Sequence, residues 1–334
     1  MLCTMIKVSA GTAHVLGLKQ LKTDAPPTTA YLMAGEKCSR SCGFCPQGRD
    51  SQSRSDLLSR VTWPGFQMQE VVPRIAAAFQ SGEIKRTCLQ VVNSREAWLH
   101  TREMIAELTR QTDVPICLSC TRMDMAWLEE MLAAGVERIG LPLDVANPEL
   151  YSQIKGGSWS EQLAFIEAAA RTFPGRISTH LIVGLGEREE EICQLLQRFT
   201  DQGITVALFA FTPVPGTALA DRPPPPLAQY RRIQAAHWLI KNKLVRVEQM
   251  IFTASGRLVY LGAREQLRQW LACGRAFQTS GCPDCNRPYY NEKPGGIMYN
   301  YPRPLTEAER EQELAFLFSS LKTEPKEEEQ CSGA

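Results

Sequence analysis

The chain has 334 residues, 44% of them hydrophobic, and its 37 basic and 36 acidic residues leave a formal net charge of +1. That balance gives no electrostatic basis for binding nucleic acid or a membrane surface. No segment approaches the roughly 18–20 apolar residues that span a bilayer, and residues 1–22 lack the basic start, apolar run and cleavage site of a signal peptide. We therefore expect a cytoplasmic protein, built as one large α/β domain with an appendage or as two smaller domains.

Short apolar runs alternate with longer amphipathic segments through most of the chain. The apolar runs predict six strands: Thr29–Met33, Thr87–Val92, Val114–Ser119, Arg138–Leu143, Ile177–Val183 and Thr205–Phe211. The amphipathic segments predict six helices: Val71–Gln80, Arg95–Thr112, Met125–Ala134, Ser160–Thr172, Glu189–Thr200 and Tyr230–Lys241. Six successive βα units predict a parallel sheet with helices outside. Because eight units close a full barrel, six predict an open, partial (β/α)6 barrel of the α/β class.

The rest of the chain divides around this barrel. We expect an N-terminal extension (residues 1–27), the barrel (28–245), a C-terminal extension (246–321) and a tail (322–334). The extension contains a predicted strand, Arg246–Phe252, and a predicted helix, Arg264–Ala272, followed by a cysteine-containing segment. The tail carries acidic residues without apolar periodicity, which predicts disorder.

Cysteine is unusually frequent, with twelve residues, and reducing conditions favour metal binding or catalysis over disulfides. Cys38, Cys42 and Cys45 follow the first predicted strand with the spacing CxxxCxxC, and the next cysteine is Cys88. Closed electron-transfer clusters usually have four cysteine ligands. Three thiolates would instead leave one iron of a cubane cluster free to bind a small molecule. The alternative is a zinc site completed by a distant histidine, although zinc sites usually use CxxC pairs.

The triplet, with Phe44 before its last cysteine, resembles the signature of the radical S-adenosylmethionine (radical SAM) enzymes, and the resemblance extends over roughly residues 28–220. It implies that the open iron of a [4Fe–4S] cluster binds the amino and carboxylate groups of S-adenosylmethionine. One electron then cleaves the sulfonium bond, and the 5′-deoxyadenosyl radical removes a hydrogen atom from the substrate. The site must exclude water for this chemistry.

The same resemblance assigns further residues to the cofactor pocket. They are Phe44, Asn93, Ser94, Asp144, His180, Gly184, Gly186 and Glu187. Asn93 and Ser94 stand where many members carry Gly-Gly-Glu to bind the methionyl amine. Asp144 is placed to accept a ribose or substrate hydroxyl, or it is a solvated loop carboxylate. The stretch around Gly184 and Gly186 resembles the adenine-binding segment, or it is a strand-to-helix turn that uses glycine for positive φ.

A second cysteine group, Cys273, Cys282 and Cys285, lies in a segment that proline and glycine keep non-helical. One interpretation is a structural zinc knuckle, because Cys282 and Cys285 form a CxxC pair. The other is a second iron–sulfur cluster that takes a further ligand from Cys117 or Cys120, or from a serine or the substrate. The remaining cysteines include Cys88 and Cys193, in apolar contexts typical of buried free thiols, and Cys3 and Cys331, expected to be unligated.

Short stretches such as Ile116–Met123 and Pro215–Leu219 look like their counterparts in biotin synthase. That enzyme uses a second cluster inside its barrel as a sulfur source. Cys88 and Cys117 match two of its barrel cysteines, whereas Ser178 stands at the position of a third.

The C-terminal motif Cys-Asn-Arg-Pro-Tyr-Tyr-Asn-Glu (285–292), combined with Thr29–Met33 and Cys45–Arg49, most resembles a component of the two-protein lipoyl synthases. The resemblance implies sulfur insertion at an unactivated carbon of an octanoyl group on a lipoyl-carrier protein, with a sacrificial auxiliary cluster. It implies a second radical SAM protein as partner and an electron donor such as ferredoxin or flavodoxin. Two alternatives remain: a biotin-synthase-like radical enzyme whose second site transfers electrons, anchors substrate or holds zinc, and a metal-binding scaffold without turnover.

Overall fold

A computed structural model describes residues 5–293 and 295–322. Cys3, Cys331 and residues 323–334 of the predicted tail lie outside the described residues. Among the described residues, none of the helices has the length and apolarity needed to cross a lipid bilayer.

The elements of secondary structure follow one another along the whole described chain. The strands are β1 (Met5–Val8), β2 (Thr29–Ala34), β3 (Leu57–Leu58), β4 (Val61–Thr62), β5 (Gly65–Gln67), β6 (Arg86–Val91), β7 (Ile116–Ser119), β8 (Val136–Gly140), β9 (Ile177–Val183), β10 (Thr205–Ala210), β11 (Ile251–Phe252) and β12 (Leu258–Tyr260). The helices are α1 (Ala10–Val15), α2 (Met68–Gln80), α3 (Arg95–Gln111), α4 (Met125–Ala133), α5 (Pro148–Ile154), α6 (Trp159–Thr172), α7 (Glu189–Asp201), α8 (Leu227–Lys241), α9 (Arg264–Leu271) and α10 (Glu307–Ser319).

Six neighbouring strands of the described chain, β2, β6, β7, β8, β9 and β10, pair in parallel in that order. A helix follows each of them, in the case of β2 after the short strands β3, β4 and β5, so the predicted partial (β/α)6 barrel is confirmed. Strands β1 and β5 extend the sheet antiparallel beyond β2. In barrels of this kind the loops at the carboxyl ends of the strands carry function.

Three parts of the barrel and its extension differ from the sequence-based prediction. Helix α5 was not predicted, although Asn147 caps its start and Pro148 occupies its first turn, a typical helix-start signal. Strand β8 lies earlier than the predicted Arg138–Leu143, because the chain leaves the strand after Gly140. The predicted strand Arg246–Phe252 is wrong for most of its length. A short 3-10 helix, Val247–Gln249, replaces it, and only β11 is extended.

The C-terminal extension closes the gap between the first and last barrel strands. At β10, the amide of Leu208 donates to Ser280 Oγ (2.9 Å). At β2, the hydroxyl of Thr28 donates to the carbonyl of Asp284 (2.6 Å), and its amide donates to Asn286 Oδ1 (3.0 Å). The segment that carries Cys282 and Cys285 is therefore fixed against both edges of the open barrel.

Helix α10 is held against α8 by a buried ion pair. Arg231, which is 0% exposed, donates to both carboxylate oxygens of Glu313 (2.6 and 2.8 Å). We expect Glu313→Ala to lower the free energy of unfolding by about 3–5 kcal/mol, because it leaves a buried guanidinium without its counter-ion. Urea denaturation measures this loss. The matched control is Glu307→Ala, at an exposed position on the same helix, and equal stability of the two variants would show that the Arg231–Glu313 ion pair does not stabilise the fold.

Candidate active site

The loop of the cysteine triplet begins at the carboxyl end of β2 and is tied to three neighbouring parts of the barrel. The amide of Gly43 donates to the carbonyl of Ile154 in α5 (2.7 Å), and its own carbonyl accepts from Leu219 (3.0 Å). The amide of Asn93, which follows β6, donates to the sulfur of Cys38 (3.4 Å). These bonds fix the loop that carries the three thiols at the functional end of the barrel.

The environment of the triplet disfavours free thiolates. Burial raises the pKa of Cys45 to about 12, and the charges of Cys42 and Cys38 contribute to the increase. Burial also raises the pKa of Cys42. A bound metal deprotonates a coordinating thiol outright, so these thiols would become anionic together with metal binding.

Asp144 faces the triplet from the end of the fourth barrel strand. It lines the same cavity as Phe44 and Cys45, and its backbone adopts a left-handed conformation (φ 66°). The buried Nζ of Lys155 donates to Asp144 Oδ2 (2.8 Å) and to the carbonyl of Pro142 (2.9 Å). Asp144 is therefore a paired, buried carboxylate rather than a solvated one. Sequence reasoning missed Lys155, because its position gives no sign of its partner.

We expect Lys155→Met to lower the free energy of unfolding by about 3–5 kcal/mol, since it leaves the Asp144 carboxylate buried without a counter-ion. Chemical denaturation measures the loss. Lys19→Met, at an exposed position, is the matched control and should change stability by no more than about 0.5 kcal/mol. A Lys155→Met variant as stable as that control would show that the pair does not stabilise the Asp144 turn.

Asn93 and Ser94, the two predicted cofactor-binding residues that follow β6, have different local roles. Ser94 caps helix α3, where its hydroxyl accepts from the amide of Ala97 (3.2 Å). The side chain of Asn93 donates to Ser39 Oγ (3.0 Å) in the cysteine loop. Asn93 thus borders the triplet directly, whereas the hydroxyl of Ser94 is engaged in the helix cap.

The glycine-containing stretch after β9 forms a tight turn. Gly184 and Gly186 have φ values of 104° and 113°, which side-chain-bearing residues rarely adopt. The carboxylate of Glu187 accepts from the amides of Gly184 (2.7 Å) and Leu185 (2.8 Å). These residues do not line the cavity, whereas His180 and Ile182 on β9 do. Burial lowers the pKa of His180 to about 4, so its imidazole is neutral at physiological pH.

A single cavity connects the triplet with a second group of thiols. Its empty volume is about 1070 Å³, including the space open to solvent. Phe44 and Cys45 line it at the carboxyl ends of the strands, and Cys88, Cys282 and Cys285 line it deeper in the barrel. The walls between them are largely apolar and include Ile182, Ala207, Phe209, Phe211 and Tyr290.

The second group consists of Cys88, Cys117, Cys282 and Cys285. Cys88 and Cys117 are register partners on β6 and β7. The side chains of Cys282 and Cys117 interact with each other, and the sulfur of Cys285 lies 3.3 Å from the hydroxyl of Tyr31. The charges of Cys282 and Cys285 both act on Cys88. The barrel therefore supplies two thiols and the C-terminal extension supplies the other two.

This grouping corrects the sequence-based one. Cys273 is exposed and does not line the cavity, because it lies in the turn after α9, beside α10. Cys120 is buried in the hydrophobic core, so of the two proposed further ligands only Cys117 meets the C-terminal thiols. The apolar context of Cys88 predicted a buried free thiol, but in the structure Cys88 belongs to the second group of thiols. Cys193 is buried in α7, as its context indicated.

Three arginines surround the second group, and sequence reasoning missed all of them. Arg86 Nη1 donates to the sulfur of Cys117 (2.6 Å), Arg138 is the register partner of Cys117 on β8, and Arg287 lines the cavity. The Nε atoms of Arg86 and Arg138 are buried without a hydrogen-bond partner. The available signal was the alternation of Arg86 and Cys88 along a buried strand, which places both on one face of the sheet.

The thiols of both groups are of the kind that holds iron–sulfur clusters, which are bound by cysteine thiolates. Within residues 5–293 and 295–322, no three His, Cys, Asp or Glu side chains are arranged to hold one metal ion. The sulfides of a cluster would also accept hydrogen bonds from the unpartnered Nε groups of Arg86 and Arg138.

Comparison with known proteins identifies the family. Residues 33–199, half of the chain, match the Radical SAM superfamily. The chain belongs to this superfamily. It is therefore an enzyme that uses a [4Fe–4S] cluster and S-adenosylmethionine, and the triplet fits that cluster by its spacing and position.

Curated relatives place this radical SAM enzyme in the branch of biotin and lipoyl synthases. Biotin synthase of Synechococcus sp. (strain JA-3-3Ab) is 26% identical over 251 residues, which cover 68% of this chain and 77% of that protein. Lipoyl synthase of Chlorobaculum tepidum is 26% identical over 176 residues, 49% of this chain and 56% of that protein. The matched region spans between about half and three quarters of such relatives. Methylornithine synthase shares the fold, with a TM-score of 0.51 over 95% of this chain and 98% of that one, at 13% identity.

Proposed function

We propose that this radical SAM enzyme inserts sulfur at an unactivated carbon of an octanoyl group bound to a carrier protein, a step of lipoyl cofactor synthesis. The observation that carries the proposal is the largely apolar cavity, which Cys45 of the triplet lines at one side and Cys88, Cys282 and Cys285 line at the other. A substrate carbon between them would be close both to a radical source and to a sulfur source.

Cys38, Cys42 and Cys45 would hold the radical-generating cluster and leave one iron open for S-adenosylmethionine. When bound, this pair supplies a 5′-deoxyadenosyl radical, which removes hydrogen from a carbon that no acid–base group could activate. The chain's own residues orient the reactants: Phe44, Asp144 and the neutral imidazole of His180 line the adjoining wall.

Cys88, Cys117, Cys282 and Cys285 would hold an auxiliary iron–sulfur cluster as the sulfur source. Such a cluster is suited to this position, because the site has four thiols and two buried guanidinium N–H groups without a hydrogen-bond partner. Zinc in the same four-thiol site is the competing assignment, and metal analysis of the purified protein separates the two.

The substrate pocket is suited to an alkyl chain. Ile182, Phe209 and Phe211 supply apolar walls, and the aromatic ring of Phe209 is flanked by those of His180 (5.2 Å) and Tyr290 (6.3 Å). Such walls bind a hydrocarbon by the hydrophobic effect and exclude water, which would otherwise permit side reactions.

The proposed reaction requires other proteins. An octanoylated lipoyl-carrier protein would present the substrate, and a second radical SAM protein would act with this one to complete the lipoyl group. Ferredoxin or flavodoxin would supply the electron.

A second candidate is a biotin-synthase-like enzyme that acts on a small free substrate. Cys88 and Cys117 on the barrel strands, together with the biotin synthase relatives, favour it. Ser178 at the third barrel position and the thiols of the C-terminal extension favour the first candidate.

Single-turnover assays on anaerobically reconstituted protein test the proposed function. The enzyme, S-adenosylmethionine and reductant are incubated with an octanoylated carrier domain, alone and with the candidate partner protein, and the carrier is analysed by mass spectrometry. We expect a carrier that has gained sulfur, with matching 5′-deoxyadenosine. Sulfur gained only by dethiobiotin, used as the small-substrate probe, would favour the second candidate, and sulfur in neither would refute sulfur insertion.

A further inference from the structure

Arg287, which lines the cavity, is buried without a carboxylate partner. It is 9% exposed, and within residues 5–293 and 295–322 it forms no ion pair with Asp or Glu. Its Nη2 donates to the carbonyl of Ser280 (2.7 Å), and its guanidinium carbon lies 4.0 Å from the centre of the Phe209 ring. A buried charge without a counter-ion is strongly unfavourable, so this site calls for an anion.

The thiols of the second group are the anions within reach. The backbone amide of Arg287 donates to the hydroxyl of Tyr31 (2.9 Å), which in turn lies 3.3 Å from the sulfur of Cys285. Arg287 interacts electrostatically with both Cys285 and Cys282. Its charge therefore lies beside the two thiols that the C-terminal extension contributes.

Two further arginines approach the same thiols from the barrel strands. Arg86 is 4% exposed and donates to Cys117, while Glu137, a partly exposed residue, binds its Nη2 (2.7 Å). Arg138 donates to Thr205 Oγ1 (2.9 Å). Arg138 is also the register partner of Cys117, so the two arginines lie on the two strands that flank this thiol.

We infer that Arg86, Arg138 and Arg287 form a cationic shell that neutralises the second cluster and raises its reduction potential. The inference rests on the proposed second cluster and adds a role for residues that are not among its cysteine ligands. Four thiolates give a cluster negative charge, and one-electron reduction of an iron(III) to iron(II) makes that charge more negative. Nearby positive charges and N–H donors favour the reduced form, since net charge and hydrogen bonds to sulfur set the potential of such clusters.

The shell is suited to a cluster that accepts an electron from its substrate. When a carbon radical forms a bond to a sulfide, one electron passes to the iron that held the sulfide. A higher potential makes this transfer more favourable. The arginines are thus positioning and tuning residues for sulfur insertion.

Redox titration of the second cluster tests the shell. The full chain with Cys38, Cys42 and Cys45 replaced by alanine isolates the second cluster, and its reduction is followed by electron paramagnetic resonance. We expect Arg287→Met to lower the midpoint potential by about 59 mV or more, a tenfold change for a one-electron couple. Arg287→Lys keeps the charge and should retain most of the parental potential.

Arg138→Met provides a second test if Arg287→Met does not retain its iron, because Arg138 is only partly buried. It should also lower the potential. Unchanged potentials in variants that retain the cluster would overturn the inference. The absence of any cluster from the parent chain would instead refute the proposed second cluster, and a carboxylate compound that binds to the parent but not to Arg287→Met would assign Arg287 to substrate recognition.

Discussion

Replacing Cys282 and Cys285 together by alanine should abolish sulfur insertion while 5′-deoxyadenosine continues to form. The two residues supply half of the second thiol group, and a cluster left with two cysteines loses the ligand set that holds it. The triplet lies in a separate loop with its own hydrogen bonds, so radical generation does not depend on them. Single-turnover assays that quantify both products on the same sample measure the uncoupling.

The matched control for that experiment is Cys273→Ala. Cys273 belongs to the same extension, but it is exposed and outside the cavity, so this variant should keep both products. Sulfur insertion by the double variant at the wild-type level would refute the second site. Loss of sulfur insertion in Cys273→Ala would restore the grouping that the sequence alone suggested.

Replacing Cys38, Cys42 and Cys45 by alanine should abolish both products. Without the triplet no iron remains to bind S-adenosylmethionine, so 5′-deoxyadenosine should fall to the level of a reaction without protein. The iron content of the reconstituted chain should fall by about four atoms, the content of one cubane cluster. Iron and sulfide analysis and liquid chromatography of 5′-deoxyadenosine measure the two effects.

Cys193→Ala is the control for the triplet, because this thiol is buried in α7 away from the cavity. It should retain iron content and 5′-deoxyadenosine formation. Formation of 5′-deoxyadenosine by the triple variant would show that another site generates the radical.

The barrel and the triplet were predictable because both are local in sequence. Each strand and helix has its own apolar period, and Cys38, Cys42 and Cys45 lie within eight residues. The boundaries of elements such as β8 were not predictable, because they depend on pairing with the neighbouring strand. Asp144, which lies beyond the end of β8, forms a β-bridge with Leu181 on β9 and has a positive φ. The residue type did not predict this conformation.

The second thiol group was only partly predictable because its members are distant in sequence. Along the chain Cys273 is much nearer to Cys282 than Cys88 is, but Cys273 lies in the turn after α9 and outside the cavity. Cys88 lies nearly two hundred residues away and joins the group through strand register. An apolar strand that also carries Arg86 and Gln90 on the cysteine's face was the signal, since such polar residues face a functional lumen rather than a core.

We expect the second thiol group to hold the sulfur that reaches the substrate. The most direct test is to reconstitute the wild-type chain with sulfide enriched in a heavy sulfur isotope, remove free sulfide, and analyse the octanoylated carrier after one turnover. We expect the sulfur in the product to carry the heavy isotope, and the Cys282→Ala, Cys285→Ala double variant to yield no such product. Product sulfur of natural isotopic composition, with the label still bound to the protein, would show that the second thiol group is not the sulfur source.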